Sequence, residues 1–184
     1  MVSLLRGLLL ALAIVSSGGT AMAADLENTL YLDVPAGRVV IAMRPDLAPN
    51  HVAQIKALAR RGFYDGVPFH RVIDGFMAQT GDPTGTGTGG SGNKLKAEFS
   101  NEAHVRGTVS MARAQDPNSA DSQFFICFEP APFLDRQYTI WGEVVSGMEH
   151  VDAVKKGDQA RNGTVSNPDK IIRMQVAADA DKGK

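Results

Sequence analysis

The sequence predicts a mainly β, single-domain protein with two helices, whose strands close into a barrel more readily than they stack as a layered parallel sheet. Short apolar segments recur along the chain with turn residues between them. Only two segments have helical spacing, and neither a fixed-period repeat nor a Pro- or Ser-rich linker divides the chain. A sandwich of two sheets fits the same pattern and stays open at this point.

Composition narrows the class of protein. The chain has 184 residues, 43% of them hydrophobic, a formal net charge of −1 and one cysteine. The apolar content excludes wholesale disorder, and the near-neutral charge argues against bulk phosphate binding, which needs a basic surface. One cysteine excludes an internal disulfide and any all-cysteine metal cluster.

Residues 1–23 have the pattern of a secretory signal peptide. Arg6 supplies the positive charge, Leu8–Val15 is an unbroken apolar run, and Ala21-Met22-Ala23 forms an A-x-A cleavage site. The run is far shorter than the ~20 residues that span a bilayer, although an uncleaved anchor remains the alternative. We expect cleavage after Ala23, an exported domain over 24–184 with its core at about 28–176, and a flexible tail over 177–184.

Eight segments are predicted as strands. Thr29–Val34 and Arg38–Met43 flank a Pro-Ala-Gly turn at Pro35–Gly37, which predicts a hairpin. The six further candidates are Pro68–Ile73, Phe76–Thr80, Thr108–Ala112, Phe124–Phe128, Ile140–Val145 and Lys170–Val176.

Two segments are predicted as helices. The first is Asn50–Arg61, which follows Pro49, precedes Gly62 and carries apolar residues on one face. These residues are Val52, Ile55, Leu58 and Ala59. The second contains Met148, Val151 and Val154 at spacings of three and is ended by Gly157.

Several familiar sites are disfavoured by their context. Gly85-x-Gly87-x-x-Gly90 has the form of a dinucleotide fingerprint, but no βαβ unit surrounds it, so we expect a surface loop. The four histidines contain no helical metal-binding pair, and no G-x-S-x-G elbow occurs. Cys127 lies in an apolar strand and is predicted to be a buried, inert thiol. No cofactor or metal is expected.

The segment from Phe69 to Gln79 is the densest candidate for a site. Strand alternation predicts Phe69, Arg71 and Ile73 on one face and His70 and Val72 on the other. An arginine, an amide and large apolar groups would then share one concave surface. From the pattern alone, a core strand with a surface ion pair is the commoner explanation.

Three ordered blocks resemble the cyclophilin family of peptidyl-prolyl cis-trans isomerases. The blocks are Tyr64–Asp82, Gly107–Arg113 with Ser122–Ile126, and Phe133–Asp135 with Trp141–Val144. The resemblance covers roughly Asn28 to Val176 and implies an eight-stranded antiparallel closed β-barrel capped by two α-helices. It implies an enzyme that accelerates rotation about X-Pro bonds while exported proteins fold. A non-catalytic module that binds proline-containing segments in the same groove is the alternative.

The resemblance also implies the site residues. Arg71 matches the catalytic arginine. The implied substrate-binding positions are Phe76, Met77, Phe125 and Leu134 around the proline ring, Gln79 and Gln123 near the substrate backbone, His70 lining the site, and Ala112 and Ala114 on the floor of a neighbouring subsite.

Some positions depart from the family pattern. Phe133 stands where some relatives carry a tryptophan that contacts cyclosporin, so we expect weak cyclosporin binding. Tyr138 replaces a histidine that touches substrate, and Arg113 replaces an asparagine whose contact is made largely by the backbone. Gln115–Asp121 is one residue longer than in those relatives. These differences resemble the exported, periplasmic bacterial branch, so the expected partners are unfolded or partly folded proline-containing chains. We expect a monomer that binds neither nucleic acid nor, after cleavage, membrane.

Overall fold

A computed structural model describes residues 25–180 as one curled antiparallel sheet with two helices. The strands are β1 (Thr29–Val34), β2 (Gly37–Met43), β3 (Arg71–Ile73), β4 (Met77–Thr80), β5 (Thr108–Met111), β6 (Phe124–Cys127), β7 (Ile140–Ser146) and β8 (Arg173–Val176). The helices are α1 (Pro49–Arg60) and α2 (Met148–Asp152).

The predicted signal peptide and its cleavage site lie outside the described residues. Within the described part of the chain, no helix is both long enough and apolar enough to span a membrane.

The eight strands follow the order β3-β4-β6-β5-β7-β2-β1-β8, and every pairing is antiparallel. The predicted closed barrel is not what this ladder forms, because β3 and β8 are left as its two edges. Backbone hydrogen bonds from Gly66 N to Ile171 O (2.8 Å) and from Ile171 N to Val67 O (2.9 Å) join the segments that precede those strands. The sheet is therefore an open, curled half-barrel whose seam is held by loop residues.

The main core lies between the sheet and α1. Alternate residues of β1 and β2 point into it, as period-two alternation requires. The predicted apolar face of α1 is buried in the same cluster. The helix begins one residue before the predicted start because Pro49 occupies its first turn, where a proline has no needed N–H to lose.

The C-terminal end is ordered further than predicted. Ala177–Asp179 forms a 3-10 turn with Ala177 buried, and Arg60 of α1 donates from Nε to Asp179 Oδ2 over 2.8 Å. The flexible tail expected over 177–184 therefore does not begin at Ala177, since this turn is tied to α1.

Candidate active site

A cavity of about 370 Å³, here called the arginine cavity, opens between β3, β4, β6 and a 3-10 turn at Pro132–Leu134. Arg71 lies at one edge of this cavity, and the floor of the cavity is largely apolar. The predicted site residues that line it are Arg71, Phe76, Met77, Gln79, Ala112, Arg113, Phe125, Phe133, Leu134 and Tyr138. Residues from four separated stretches of the chain thus meet in one place.

Arg71, on β3, is fixed on two sides. Its Nη1 donates to Gln79 Oε1 over 3.1 Å, across the register that pairs the two residues in β3 and β4. Its Nε donates to Asn162 O (3.1 Å) and its Nη2 to Asn162 Oδ1 (2.9 Å). Three of the five guanidinium N–H donors are engaged within the described residues, which leaves two for a ligand. Partial burial lowers the pKa of Arg71, but a guanidinium stays charged at any physiological pH.

A second cavity of about 370 Å³, here called the glycine-loop cavity, adjoins the first and shares Gln79, Ala112 and Arg113 with it. Ala114, predicted on the floor of a neighbouring subsite, and Gln123, predicted near the substrate backbone, both line this second cavity. Gln79 Nε2 donates to Gln123 Oε1 over 2.9 Å, and Gln123 Nε2 donates to Gly89 O over 2.8 Å. One row of amides therefore connects Arg71 to the loop that walls the second cavity.

The floor of the arginine cavity is a small apolar cluster separate from the main core. It consists of Met77, Phe125, Cys127, Ala131 and Leu134, with Ile73, Phe76, Ala112 and Tyr138 packed against it. Burial raises the pKa of the Cys127 thiol to about 12, so the thiol is uncharged at neutral pH and buried as predicted. The floor is thus formed by groups that carry no charge.

Aromatic rings form the outer walls. Phe133 is 63% exposed and packs against Phe76, with ring centroids 5.4 Å apart. Tyr138 meets Phe125 edge to face at 5.9 Å, and the Arg113 guanidinium carbon lies 4.5 Å from the Tyr138 ring centroid. Arg113 also donates from Nε to Gln137 O over 3.1 Å. Its Nη1 donates to Ala114 O (2.9 Å) and Gln115 O (3.2 Å), so the Arg113 side chain is held against backbone carbonyls of the wall, whereas Arg71 is held by Gln79 and Asn162 at the cavity edge.

Two residues of the predicted strand Pro68–Ile73 lie elsewhere than expected. His70 lines neither cavity: it is 8% exposed, and a Cβ atom placed on Gly87 would lie 3.6 Å from its Nε2. Burial lowers the pKa of His70. Phe69 packs in the main core with Val72, not on the face of Arg71. The predicted alternation fails here because β3 begins only at Arg71, so Phe69 is outside the pleat.

Asn162 and Gln137 belong to the site and were missed in the sequence. Asn-Gly at 162–163 predicts no more than a turn. The turn has a left-handed Asn162, with φ 55°, and lies against β3 through the hydrogen bond from Val72 N to Gly163 O (2.8 Å). Because this contact spans about ninety residues of sequence, no local pattern indicates it.

No helix lies between the glycine-rich loop and β5, so the loop lacks the helix of a dinucleotide fingerprint, and a carboxylate organises it. Asp82 Oδ2 accepts hydrogen bonds from Gly87 N (2.6 Å) and Gly89 N (3.1 Å), and Oδ1 accepts one from Thr84 N (2.7 Å). Burial alone would raise the pKa of Asp82, but these hydrogen bonds outweigh it and lower the pKa to about 2. The amides that would cradle a phosphate in a nucleotide loop are therefore occupied by the chain's own anion.

The site suits a neutral ligand with an apolar ring and a polar backbone. It offers guanidinium donors at the edge of an apolar cavity, and amide groups beside them. Within residues 25–180, no group of three or more His, Cys, Asp or Glu side chains could hold a metal ion.

Comparison with known proteins agrees with this geometry. The family model of cyclophilin-type peptidyl-prolyl cis-trans isomerases matches residues 29–176. A probable peptidyl-prolyl cis-trans isomerase of Brucella suis is 59% identical, covering 87% of this chain and 88% of its own. Peptidyl-prolyl cis-trans isomerase B of Bacillus subtilis is 44% identical over 72% of this chain and 94% of its own.

Solved structures give the same result. A cyclophilin from Hirschia baltica superposes with a TM-score of 0.75 at 29% identity, covering 84% of this chain and 76% of the other. A cyclophilin-type isomerase of Cryptosporidium parvum, crystallised in the presence of the dipeptide Ala-Pro, gives 0.73 at 28% identity, covering 80% and 98%.

Proposed function

This chain belongs to the cyclophilin-type peptidyl-prolyl cis-trans isomerases, and from that premise we propose that Arg71 and the arginine cavity catalyse rotation about X-Pro bonds. The observation that carries the proposal is Arg71 itself: it is held by Gln79 and Asn162 at the rim of an apolar cavity with two N–H donors left. The apolar floor binds the proline ring, and the guanidinium binds the amide that turns.

The reaction needs no bond to break. Amide resonance imposes a barrier of ~18–20 kcal/mol, and exchange at X-Pro takes tens to hundreds of seconds without a catalyst. In the twisted amide the proline nitrogen regains its lone pair, and a guanidinium N–H can donate to it. Because the apolar surroundings lower the local dielectric, that hydrogen bond is stronger than it would be in water.

The proposal is tested by a protease-coupled proline-peptide assay on Arg71→Ala. We expect turnover to fall by ~10²–10³, the usual loss for one transition-state donor, with the fold intact. Arg38→Ala is the matched control, because Arg38 pairs with Asp33 at 2.7 Å on the far strands β1 and β2 and lines neither cavity. A loss below about threefold for Arg71→Ala would exclude this catalytic function.

One further variant sharpens the same assay. Asn162→Ala removes the Nη2 acceptor but leaves the backbone oxygen that accepts from Nε, so its loss is smaller than that of Arg71→Ala. The alternative function, a binding module, predicts that proline peptides bind in the cavity while wild type and Arg71→Ala show equally low turnover.

We also propose that cyclosporin binds weakly and that the protein acts after export on unfolded, proline-containing chains. The inhibitor proposal rests on Phe133, whose ring is smaller than the indole found in some relatives. Export rests on Arg6, the apolar run Leu8–Val15 and the A-x-A site. N-terminal sequencing of the protein recovered from the exported fraction is expected to begin at Ala24, and a start at Met1 would contradict cleavage.

A further inference from the structure

Behind the floor of the arginine cavity, three polar side chains form a hydrogen-bonded row, here called the buried triad because His104 and Ser110 are buried, while Asp135 at its end is partly exposed. Asp135 Oδ1 lies 3.0 Å from His104 Nδ1, and His104 Nε2 lies 3.1 Å from Ser110 Oγ. The row ends at the backbone, where Ser110 Oγ lies 3.0 Å from Thr139 O.

The buried triad supports the cavity from behind. The His104 ring, 1% exposed, stacks on Phe125 with an interplanar angle of 17° and a centroid distance of 6.2 Å. Asp135 directly follows Leu134 and ends the 3-10 turn that carries it. The triad therefore holds two of the apolar floor residues, one by ring stacking and one through the backbone.

Proton counting fixes the direction of the hydrogen bond between His104 and Asp135. Hydrogen bonds from the backbone N–H and the ring of His104 lower the pKa of Asp135, so its carboxylate only accepts. Nδ1 of His104 must therefore carry a proton, and in the neutral ring Nε2 is then an acceptor. The single Ser110 hydroxyl proton then has two acceptors within reach, Nε2 at 3.1 Å and Thr139 O at 3.0 Å, and Thr139 O also accepts from Met111 N at 2.9 Å.

Protonation of His104 reverses one link. Nε2 becomes a donor to Ser110 Oγ, and the hydroxyl proton rotates to Thr139 O, which lies within reach at 3.0 Å. In both states the two ring nitrogens of His104 and the Ser110 hydroxyl can be hydrogen-bonded, so the change need leave none of these buried groups unpaired. The ring that stacks on Phe125 changes from neutral to cationic.

The same three residue types form a nucleophilic triad in hydrolases, but this one is not a nucleophile. Ser110 is fully buried, and its hydroxyl is enclosed between His104 and Thr139. No acyl group reaches it, which leaves a positioning role.

We propose that His104 is a positioning residue of the proline-binding cavity, and that its protonation, transmitted by the Ser110 hydroxyl and by stacking on Phe125, makes peptide binding depend on pH. This inference rests on the proposed function of the cavity. The ligand class is unchanged; what is added is a group that regulates its binding.

The surroundings of His104 leave Asp135 as its charged neighbour. Ser110 on β5 and Phe125 on β6 carry no charge, and Ala131, also uncharged, donates from its backbone N to His104 O over 2.8 Å. Cys127, in the same small cluster, stays neutral because its pKa is about 12, and Arg136 acts on Asp135 through space. Burial lowers the pKa of His104 against the opposing effect of Asp135, so the ring charges on the acid side of its ordinary titration.

The first experiment needs no variant. Nitrogen-15 NMR of the full chain is expected to show His104 with its proton on Nδ1 at neutral pH. Titration from pH 8 to 5 is expected to move the Phe125 ring signals together with those of His104. A proton on Nε2, or Phe125 signals that do not follow His104, would overturn the proposal.

The second experiment compares two buried histidines. His104→Phe keeps an aromatic ring against Phe125 and leaves the Ser110 hydroxyl bonded to Thr139 O, but it removes both histidine hydrogen bonds. We expect KM for a proline peptide to rise roughly three- to tenfold with kcat unchanged, below the ~10²-fold of a 1 Å misplacement. His51→Phe is the matched control, because His51 is also fully buried against a carboxylate, Glu98, at 2.6 Å, but lines neither cavity. Equal increases in KM in both variants would contradict the proposal, because His104 would then have only a structural role.

The third experiment uses the pH profile of KM. Wild type is expected to show a step of about two- to fivefold, the size of one cation–π contact, and His104→Phe is expected to show none. Ser110→Ala leaves the protonated Nε2 without an acceptor, so the midpoint of the step moves to lower pH. A step that persists in His104→Phe would contradict the proposal. Arg71→Ala in the same series lowers kcat whether or not the step exists, so a failure of the proposed function is recognised separately.

Discussion

The two faces of strand β6 show how stability and binding are separated in this protein. Phe124 points into the main core, where its ring meets Tyr64 at 5.7 Å and Trp141 at 5.4 Å, both edge to face. Phe125, the next residue, points to the small cluster and contacts His104 and Tyr138. Adjacent residues of the same type thus face a closed core on one side and an open cavity on the other.

The difference lies in what surrounds each ring. Phe124 is packed on every side by protein, so its removal leaves a void that the core cannot fill. Phe125 has one side on the cavity, where a ligand completes its packing. The strand therefore contributes to folding through one face and to binding through the other.

The largest effect on stability is expected from a substitution on the face of β6 that packs in the main core. Phe124→Ala should lower the free energy of unfolding by about 3–5 kcal/mol, the usual cost of a buried phenylalanine truncated to alanine. Urea unfolding followed by circular dichroism measures it. The molecules that remain folded should keep wild-type kcat, and a loss of kcat at low temperature would contradict the separation of the two faces.

A smaller effect is expected on the cavity face. Phe125→Ala removes an apolar contact worth about 1.5–3 kcal/mol to a bound proline ring, so KM should rise roughly ten- to hundredfold. Its loss of unfolding free energy should be less than that of Phe124→Ala, because the truncated site opens onto a cavity that is already there. An unchanged KM in the proline-peptide assay would show that the ring does not contact substrate.

The smallest expected effect is a pH dependence of the unfolding free energy, caused by the buried histidines. Burial lowers the pKa of both His70 and His104, so the unfolded chain binds more protons than the folded one below about pH 6.5. Unfolding free energy should therefore fall as pH decreases from 7 through the folded pKa values. Denaturant titrations at a series of pH values measure this slope. His104→Phe should reduce it, and a wild-type stability that rises on acidification would contradict it.

Local patterns predicted the elements well where alternation or helical spacing is continuous. β1 has the predicted bounds, and α1 is shifted by one residue, because both have a buried face along their whole length. The strand predicted from Pro68 is shorter, since Phe69 and His70 are buried by the core and the glycine loop without joining the ladder. Burial alone does not distinguish a strand from a well-packed loop.

The site was predictable only in part. Arg71, Gln79 and Phe125 lie on neighbouring strands, and the block resemblance placed them together. Asn162 reaches Arg71 from about ninety residues further along the chain, and Asp135 reaches His104 from about thirty, so no local pattern indicates either contact. The prediction of a closed barrel was wrong. The edge strands β3 and β8 form no ladder with each other, and hydrogen bonds between the loops that precede them hold the seam.

The hydrogen bonds from the glycine-rich loop to Asp82 limit how the sequence of that loop can vary. Ordering a glycine-rich segment costs more backbone entropy than ordering any other, about 1–2 kcal/mol per residue. One carboxylate offsets part of that cost by collecting the loop amides, much as a bound ion would, but it is covalently part of the chain and cannot dissociate. Its pKa of about 2 keeps the anchor charged in mild acid. The wall of the glycine-loop cavity is therefore shaped by an anion and not by apolar packing, and its glycines are required where they stand: a Cβ atom on Gly89 would overlap Asp82 Oδ1, and Gly87 has φ +85°.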